Sequence, residues 1–312
     1  MSGTRELLVL GGDDVRRLMP MADCIEIVDA VMRTVSAGGA VMPVRLGFRL
    51  PGTGNILAAM PGYVSGPASL GAKLIAVYPD NAQAGLPSHQ GLVVMFDPAT
   101  GSPVAILDAH AITGIRTAAA SAVATRALAR QDASRLAILG TGEQAEAHVH
   151  AMAAVRELSS VTIWGRSAEK AGALAARAQQ ALGIPASVGP DVERAVAEAD
   201  IVCTTTSSPT PILSGGWVRR GTHVNLIGAC SAKTAEADAG LIAKSAFYVD
   251  LRTSAMAEAG DLLDAMGPLA AQHIRGEIGE VLAGKVRGRG ADSEVTVYKS
   301  LGIAAQDLAV AH

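Results

Sequence analysis

The sequence predicts an α/β protein in which a mixed α+β region precedes a doubly wound parallel sheet. Between residues 45 and 107, short apolar strands alternate with turns that contain Gly and Pro, which favours an antiparallel or mixed sheet. From residue 135 onward, strands alternate with helices, which is typical of a parallel sheet covered by helices. The length of 312 residues also suits about two domains of ordinary size.

The first region is predicted to contain two helices followed by five strands. Asp13 or Asp14 can cap a short helix over residues 15–19, and a second helix continues until Gly38-Gly39 ends its apolar periodicity. The predicted strands are 45–50, 56–60, 72–78, 92–96 and 104–107. The turns between them are predicted at 51–54, 61–62, 79–81 and 97–101.

The second region is predicted to begin with a helix of small residues over 117–129, which would let another backbone or a ligand approach closely. Strands are predicted at 135–139, 161–164, 201–205, 224–227 and 247–250, with helices at 143–155 and 168–182 and a final βα-like unit from 237. The tail carries a strand-like segment, 294–299, and a short helix after Gly302.

The composition excludes several classes of function. The 26 Lys and Arg residues nearly balance the 29 Asp and Glu residues, whereas nucleic-acid binding needs a clustered cationic surface. Hydrophobic residues make up 49% and charged residues 18%, so a sizeable core is expected and disorder is not. No apolar run approaches the roughly 18–20 residues that span a bilayer, and no secretory signal opens the chain. We expect a soluble, cytoplasmic protein with no nucleic-acid or membrane partner.

No metal site is predicted. Cys24, Cys203 and Cys230 cannot pair completely and share no short metal-binding spacing, which is typical of a reduced cytosolic protein. His148 and His150 are two residues apart in a predicted helix, so their side chains would point to different sides.

A glycine motif in the second region predicts a dinucleotide site. Gly140-Thr-Gly142-Glu-Gln-Ala145 follows a predicted strand and opens a helix, and a second strand arrives about 20 residues later. Gly140 permits the tight turn, Gly142 leaves room for the pyrophosphate, and Ala145 lets helix and sheet pack closely. The helix N-terminus, with its free N–H groups, would then meet the phosphates.

The end of the second strand indicates NADPH as the cofactor. An NAD site places Asp or Glu there to hold the ribose 2′-OH, but this chain reads Gly165-Arg166-Ser167, with Lys170 one turn later. Arg166 can stack on and pair with a 2′-phosphate, and Ser167 can donate to it. We therefore expect NADPH, with weaker use of NADH.

Several segments spread along the chain match one known family in the family's order. They are Arg45, Met60-Pro-Gly-Tyr63, Leu70-Gly-Ala-Lys73, Ile112-Thr-Gly-Ile-Arg116-Thr-Ala-Ala, Leu139-Gly-Thr-Gly-Glu-Gln-Ala145, Ala199-Asp-Ile-Val202, Asn225-Leu-Ile-Gly-Ala229 and Gly302-Ile-Ala-Ala-Gln-Asp307. Together they resemble the ornithine cyclodeaminase/μ-crystallin family over nearly the whole sequence. The resemblance implies a smaller α+β substrate-binding and dimerisation domain, residues 1–115 and 294–312, with a dinucleotide-binding (Rossmann) domain, residues 116–293, inserted between its parts. It also implies a homodimer.

The resemblance assigns roles to individual residues. Arg45, Lys73 and Arg116 match the positions that contact the substrate carboxylate, a task that suits the forked guanidinium group. Gly228 and Ala229 are expected to flank the nicotinamide. The complete set of predicted cofactor-binding residues is Thr117, Gly140, Thr141, Gly142, Gln144, Ala145, Arg166, Ser167, Lys170, Thr205, Gly228 and Ala229.

Two departures from the family pattern narrow the chemistry. The cyclodeaminases carry an Asp where this chain has Ala229, and a Glu before the Met-Pro pair where this chain has Ala58-Ala59. Without these carboxylates, oxidation of a primary amine and loss of ammonia become hard. Reduction of a preformed C=N bond remains accessible, since it needs hydride, a carboxylate anchor and one proton.

Lys73 is the first candidate for the proton donor, because a lysine among other cations can have a depressed pKa. Ser88 and His89 precede a predicted strand and form the second candidate, since a histidine titrates in a suitable range.

The sequence therefore predicts NADPH-dependent reduction of a small cyclic α-imino acid, Δ1-pyrroline-2-carboxylate or Δ1-piperideine-2-carboxylate, to L-proline or L-pipecolate. One alternative is another amino-acid-handling enzyme of the family, such as a cyclodeaminase or an alanine or opine-type dehydrogenase. That alternative needs a carboxylate such as Glu236 or Asp238 to replace the missing Asp. The other alternative is a non-catalytic NADPH-dependent binding protein like μ-crystallin.

Overall fold

The structure is a computed structural model that describes residues 6–312, apart from the side chains of residues 82 and 83. Its strands, numbered in chain order, are β1 (Leu8–Leu10), β2 (Ala40–Val41), β3 (Leu46–Arg49), β4 (Ile56–Ser65), β5 (Ala68–Val77), β6 (His89–Phe96), β7 (Pro103–Asp108), β8 (Arg135–Leu139), β9 (Ser160–Trp164), β10 (Ala186–Val188), β11 (Ile201–Thr204), β12 (His223–Leu226), β13 (Ala246–Val249), β14 (Ile274–Glu277) and β15 (Thr296–Lys299).

The helices are numbered in the same way. They are α1 (Gly12–Leu18), α2 (Met21–Ser36), α3 (Ala109–Leu128), α4 (Glu143–Ala153), α5 (Ala168–Leu182), α6 (Val192–Ala197), α7 (Ala239–Lys244), α8 (Arg252–Glu258), α9 (Gly260–Met266), α10 (Ala270–His273), α11 (Ile278–Leu282) and α12 (Ala304–Ala311), with 3-10 turns at Pro79–Ala84 and Gly267–Leu269. Helix α3 starts eight residues before the predicted position. The Asp108 carboxylate accepts a hydrogen bond from Ala111 N (2.7 Å) and so caps its first turn.

The chain forms two compact units. Unit 1 comprises Met1–Arg116 and Ile303–His312, and unit 2 comprises Thr117–Gly302. Unit 2 is therefore inserted in the sequence between the two parts of unit 1, and the fold is the predicted α/β type with a doubly wound sheet in the inserted part.

Unit 1 is built on a mixed sheet with the order β1-β7-β6-β5-β4-β2, and β3 also pairs with β4. All pairings are antiparallel except that of β1 with β7. Helix α12 packs on β4, β5 and α2. Alternate residues of β4, β5 and β6 are buried, as expected for a sheet with one covered face.

The predicted turn at residues 61–62 is wrong, because Pro61 and Gly62 lie inside strand β4, opposite Ala72 and Gly71 of β5. On the other side of β4, the pairing with β3 ends at Ala59 and the pairing with β2 begins only at residue 63. Proline has no N–H to donate and is tolerated in a strand where one side lacks a partner.

Unit 2 contains eight parallel strands in the order β10-β9-β8-β11-β12-β15-β13-β14. The chain winds outward from β8 through β9 to β10, and then restarts on the other side of β8 with β11. Ligands bind at such a switch point, beyond the carboxyl ends of the strands. The strands flanking it are almost wholly buried, as in a parallel sheet covered on both faces.

The tail strand lies in unit 2, whereas the resemblance implied that residues from 294 onward belong with the first domain. Strand β15 pairs in parallel with both β12 and β13, and unit 1 resumes only at Ile303. The buried residues of β15 fill a position in the interior of the parallel sheet. The later division of the chain thus falls nine residues beyond the predicted one.

Candidate functional site

Unit 1 places two of the predicted carboxylate-binding residues, Lys73 and Arg116, on one buried acid, and the charge of the third, Arg45, acts on Lys73. We call Arg45, Lys73, Arg116 and Asp307 the cation cluster. Lys73 is 2% exposed, Arg116 is 4% exposed and Asp307 is fully buried, while Arg45 is half-buried just before β3. Polar side chains at this depth are stable only when they are paired.

Asp307 joins the two most buried cations of the cluster. Lys73 Nζ lies 2.8 Å from Asp307 Oδ2, and Arg116 Nε donates to Asp307 Oδ1 at 2.9 Å. Arg116 Nη1 also donates to Gln306 Oε1 (3.1 Å), and Lys73 Nζ donates to Thr113 Oγ1 (3.4 Å). One carboxylate on α12 thus fixes cations from β5 and α3.

The strand pattern explains why Lys73 is inside. Successive side chains of a strand point to opposite faces, and in β5 the buried positions include Ser69, Gly71, Lys73 and Ile75. Lys73 therefore occupies a position on the covered face, in register with Met60 of β4 and Val93 of β6.

The environment shifts the titration of the cluster. Burial lowers the pKa of Lys73 from 10.5 to about 8, with Asp307 opposing the shift and the Arg116 and Arg45 charges adding to it. Burial alone would raise the pKa of Asp307, but Arg116 and Lys73 outweigh burial and hold that pKa below its ordinary value. Lys73 can therefore exchange a proton near neutral pH, while Asp307 stays ionised.

Ser88 and His89 lie beside the cluster rather than in it. Ser88 Oγ is 2.9 Å from His89 Nδ1, and His89 is the first residue of β6 and is exposed. Partial desolvation of the ring, followed by the charges of Lys73, His110 and Arg45, lowers the pKa of His89 below its ordinary value. The imidazole is thus mainly neutral at pH 7 and can accept a hydrogen bond.

The charges of the cluster sum to a net positive site. Lys73 and Arg116 together carry one more charge than the Asp307 carboxylate between them neutralises, and the Arg45 charge also acts on Lys73. An anion, and a carboxylate above all, is the ligand that such a site attracts.

Unit 2 carries the glycine turn at its switch point. Strand β8 ends at Leu139, and Gly140 has φ +135°, a backbone conformation that glycine adopts readily. A Cβ on Gly140 would lie 2.4 Å from Thr205 Oγ1. Thr205 in turn donates from its backbone N to Leu139 O (2.8 Å). The tight turn after β8 is thus locked to the end of β11.

Gly142 meets open space instead. It is the N-cap of α4, and a Cβ added there would meet no atom within 4 Å. A dinucleotide pyrophosphate needs this free approach to a helix N-terminus. Ala145, one turn into the helix, is fully buried and permits the close packing of α4 on the sheet. The residues present therefore fit a dinucleotide cofactor.

The other predicted cofactor-binding residues are placed as follows. Thr141 packs against Gly165, where a Cβ would lie 2.5 Å from its methyl group. Gln144 is half-buried, and Thr117, in α3, is buried. Thr141 thus links the glycine turn to the end of β9.

The segment after β9 is only partly buried and carries no carboxylate through residue 168. Arg166 and Lys170 are exposed. Ser167 caps α5 by accepting a hydrogen bond from Lys170 N (3.2 Å). A Ser167 hydroxyl that accepts this bond keeps its own proton for a ligand.

A buried glutamate fixes the end of β12, where Gly228 and Ala229 lie. Glu236 Oε2 accepts hydrogen bonds from Gly228 N (2.6 Å) and Thr204 Oγ1 (2.7 Å). Glu236 Oε1 accepts from Thr206 N (2.8 Å) and Thr206 Oγ1 (2.7 Å). The carboxylate therefore ties the loops after β11 and β12 together and is saturated by these four bonds.

Asp238 is engaged as well. It caps α7 by accepting from Leu241 N (2.8 Å), and it also accepts from Ser214 Oγ (2.7 Å) and Gly215 N (2.9 Å). Both candidates for the carboxylate that the alternative enzyme function needs are thus held in hydrogen bonds within the fold.

Two residues of the site were not singled out from the sequence. Asp307 and Gln306 occur in the tail segment that carries the family resemblance, and this segment was the signal that could have identified them. Their contacts join positions 190 and 191 residues apart, which no local pattern reveals.

Neither a metal centre nor a membrane span is found in the described part of the chain. No group of three or more His, Cys, Asp or Glu side chains within residues 6–312 could hold a metal ion. His148 is buried, with Nε2 2.9 Å from Ser121 Oγ, and burial lowers its pKa to about 4. Over the same residues, every helix is too short or too polar to cross a bilayer.

Comparison with known proteins matches nearly the whole chain to one family. Residues 5–312 match the model of the ornithine cyclodeaminase/mu-crystallin family. The Δ1-pyrroline-2-carboxylate reductase of Bacillus cereus is 37% identical over 308 residues, which cover 98% of this chain and 94% of that protein.

Two solved structures are similar over nearly their full length. The Δ1-pyrroline-2-carboxylate reductase of Thermococcus litoralis, in complex with NADH and L-proline, has a TM-score of 0.94 and 32% identity and covers 97% of this chain and 95% of its own. An archaeal alanine dehydrogenase dimer with bound NAD has a TM-score of 0.91 and 32% identity, with coverage of 98% and 93%.

Proposed function

Because the chain belongs to the ornithine cyclodeaminase/mu-crystallin family, we propose that it reduces a small cyclic α-imino acid with NADPH. The chain is an NAD(P)H-dependent oxidoreductase that acts on carbon–nitrogen bonds. The proposed substrates are Δ1-pyrroline-2-carboxylate and Δ1-piperideine-2-carboxylate, and the products are L-proline and L-pipecolate.

The observation that carries the proposal is the cation cluster. Its net positive charge suits one carboxylate, and Lys73 adds a group that can release a proton near neutral pH. Unit 2 offers Ala229 where the family's cyclodeaminases carry an Asp. The two carboxylates that could replace that Asp, Glu236 and Asp238, are held by the hydrogen bonds described above. An imine that is already formed needs no such carboxylate.

The proposed roles follow from this arrangement. Arg45 and Arg116 bind the substrate carboxylate, which excludes neutral imines and orients the α-carbon. Lys73 supplies a proton to the imine nitrogen, and Ser88 and His89 line the substrate site as a second possible relay. The bound cofactor supplies a hydride. Unit 1 is the substrate-binding unit and unit 2 the dinucleotide-binding unit in this proposal.

The proposed cofactor site uses the glycine turn and the segment after β9. Gly140 to Ala145 hold the pyrophosphate at the N-terminus of α4, and Gly228 and Ala229 flank the nicotinamide. Arg166, with Ser167 and Lys170, holds the 2′-phosphate, which is the reason to prefer NADPH. The Thermococcus protein binds NADH, so NADH remains the weaker expected cofactor.

The proposed assembly is a homodimer formed through the open face of the unit 1 sheet. Large apolar side chains are exposed on its strands, and we call them the apolar face: Leu46, Phe48, Leu57, Leu74, Leu92 and Val104. A contiguous apolar surface of this kind is unusual on a monomer. The occupant we propose is a second copy of this chain, in keeping with the dimeric archaeal relative.

Loss of NADPH absorbance in the presence of each imine tests the proposed reaction. NADH and a blank without imine provide the comparisons. Substitutions Lys73→Ala and Arg45→Ala should lower kcat/KM by about 10- to 100-fold, as expected for loss of a charged hydrogen bond to substrate. Arg49→Ala is the matched control, since Arg49 is an exposed arginine of the neighbouring strand β3. NADPH binding without reduction of either imine would refute the cyclic-imine proposal.

A further inference from the structure

Asp307, the carboxylate that pairs with the two buried cations, has a geometry that indicates a role in the reaction. Asp307 is fully buried, and its two oxygens contact different cations, Lys73 at 2.8 Å and Arg116 at 2.9 Å. A carboxylate in that position cannot itself reach into solvent. It can, however, decide where both cations point.

Helix α12 holds Arg116 by two neighbouring side chains. Asp307 accepts from Nε, and Gln306 accepts from Nη1 at 3.1 Å. Gln306 Nε2 in turn lies 3.5 Å from Met32 Sδ of α2. Neither of these bonds uses Nη2 of Arg116, which leaves that group to donate to a ligand.

Lys73 is held in the same manner. Its ammonium group has three donors, and two of its neighbours are Asp307 and Thr113. A third direction is left for a substrate atom. Asp307 thus orients the remaining donors of both cations at once.

We propose that Asp307 is a positioning residue of the reductase proposed above: it fixes Lys73 and Arg116 for the substrate and keeps Lys73 in its proton-donating form. This inference rests on the proposed function. Asp307 touches neither substrate nor cofactor, so it acts only through the two cations.

The step that depends on Asp307 is the proton transfer. An N–H bond of the Lys73 ammonium breaks and an N–H bond forms on the imine nitrogen, while the hydride from NADPH forms the new C–H bond at the α-carbon. The C=N double bond becomes a single bond, and neutral Lys73 regains a proton from water. Asp307 stays ionised throughout and stabilises the ammonium form before the transfer.

The charged groups around Lys73 explain why its protonation depends on Asp307. Asp307 approaches from α12, Arg116 from α3, Arg45 from the segment before β3, and His89 from β6 with His110 near it. Asp307 is the carboxylate among these groups, and the others are cationic or become cationic in acid. Without its charge, the remaining cations would favour the neutral amine.

The test is the pH profile of the Asp307→Asn enzyme. Loss of the charge should lower the pKa of Lys73 below its value of about 8. The alkaline limb of kcat should therefore move to lower pH by about one to three units, as expected for removal of a neighbouring opposite charge. We also expect kcat/KM to fall about 100-fold, as for a misplacement of about 1 Å. NADPH binding, followed by tryptophan fluorescence, should be unchanged.

Asp29→Asn is the matched control. Asp29 is also a buried carboxylate of unit 1, paired with Arg33 at 2.5 Å within α2, and it does not contact Lys73 in any of the described bonds. Its variant should keep the wild-type alkaline limb. A limb that is the same in Asp307→Asn and wild type would overturn the inference, whatever the loss of activity.

If the Asp307→Asn enzyme does not fold, the Asp307→Glu enzyme is measured in its place. It keeps the charge but displaces the oxygens, so the alkaline limb should stay within about half a unit of wild type while kcat falls at least about tenfold. Wild-type kcat in this variant would overturn the positioning role. A wild-type protein that binds NADPH and reduces neither imine would instead overturn the proposed function, and this inference with it.

Discussion

Arg166 shows how one exposed side chain is expected to choose the cofactor. It follows β9 at the position where an NAD site would place a carboxylate, and it is exposed. Its planar, permanently charged group suits a phosphate. The preference for NADPH is therefore expected to depend on this one charge.

Charge reversal at Arg166 should exchange the preferred cofactor. In Arg166→Asp, the carboxylate would repel a 2′-phosphate and could accept from a ribose 2′-OH. We expect the ratio of kcat/KM for NADPH to that for NADH to fall by about 100-fold, equivalent to about 2.7 kcal/mol. Initial rates with each cofactor at saturating imine measure the ratio. Arg220→Asp, a reversal at another exposed arginine of unit 2, should leave the ratio unchanged, and an unchanged ratio in both variants would contradict the assignment.

Lys73, unlike the exposed Arg166, is a buried charge, and its stability depends on the residues around it. Strand alternation sends it to the covered face of the unit 1 sheet, where an unpaired ammonium would be strongly destabilising. The partner that makes this placement stable, Asp307, comes from the last helix of the chain. Burial lowers the pKa of Lys73 to about 8 although this pairing opposes the shift, and that value suits a proton donor near neutral pH.

Among the secondary-structure elements, the turn between β8 and α4 separates two kinds of glycine. Gly140 has a positive φ and lies against Thr205, so a side chain there would strain the turn. Gly142 has an ordinary extended backbone and open space around it. The first glycine is required by the fold, and the second is required by the ligand we propose.

Gly142→Val should therefore weaken cofactor binding without destabilising the protein. The added side chain meets no atom within 4 Å of its Cβ and occupies the approach to the helix N-terminus. We expect NADPH to bind at least about tenfold more weakly, or about 1.4 kcal/mol, with the melting temperature changed by less than about 3 °C. Fluorescence titration and calorimetry measure the two quantities.

Gly172→Val is the control, at a helical glycine of α5 with equally open space, and it should bind NADPH normally. Tight binding of NADPH by Gly142→Val would be inconsistent with a phosphate at this turn.

The end of β12 shows a further link between an element and the site. The four hydrogen bonds of Glu236 hold Gly228 and Thr206 together, and a Cβ on Gly228 would collide with Thr206 O. This closeness explains why a glycine stands there and why Glu236 has no remaining acceptor capacity for chemistry on an amine.

On the scale of the whole molecule, the sheet of unit 1 has two unlike faces. One face is covered by α2 and α12 and contains Lys73. The other carries the apolar face, in which Phe48 is 61% and Leu46 63% exposed. Burial of such side chains against a second chain is favourable by about 25 cal/mol per Å².

Charge on the apolar face should separate the proposed dimer. In Phe48→Glu/Leu74→Glu, two carboxylates would have to be buried at the interface, which costs several kcal/mol. We expect wild type to elute with twice the chain mass in light scattering and the double variant with the mass of one chain. Leu269→Glu, at an equally exposed leucine of unit 2, should remain dimeric. Wild type with the mass of a single chain at micromolar concentration would rule out this assembly.

Much of the fold followed from local patterns. The αβ alternation predicted the parallel sheet of unit 2, and the turn Gly140 to Ala145 lies at its switch point, because turn and helix start are encoded by adjacent residues. The turn predicted at Pro61 failed for the converse reason. Whether proline ends a strand depends on which strands pair with it. The stretch of β4 between its pairings with β3 and β2 is not visible in the local sequence.

The sequence by itself determined the fold class and the glycine turn, and it predicted Arg45, Lys73 and Arg116 as the substrate-binding cations. Tertiary structure alone decided that β15 joins the parallel sheet. It also decided that Glu236 accepts hydrogen bonds from the loops after β11 and β12, and that Asp307 pairs with Lys73 and Arg116. The physical reason is distance along the chain. A turn or a strand face is specified by neighbouring residues, whereas the bond between Arg116 and Asp307 spans 191 residues and exists only once α12 packs on the sheet.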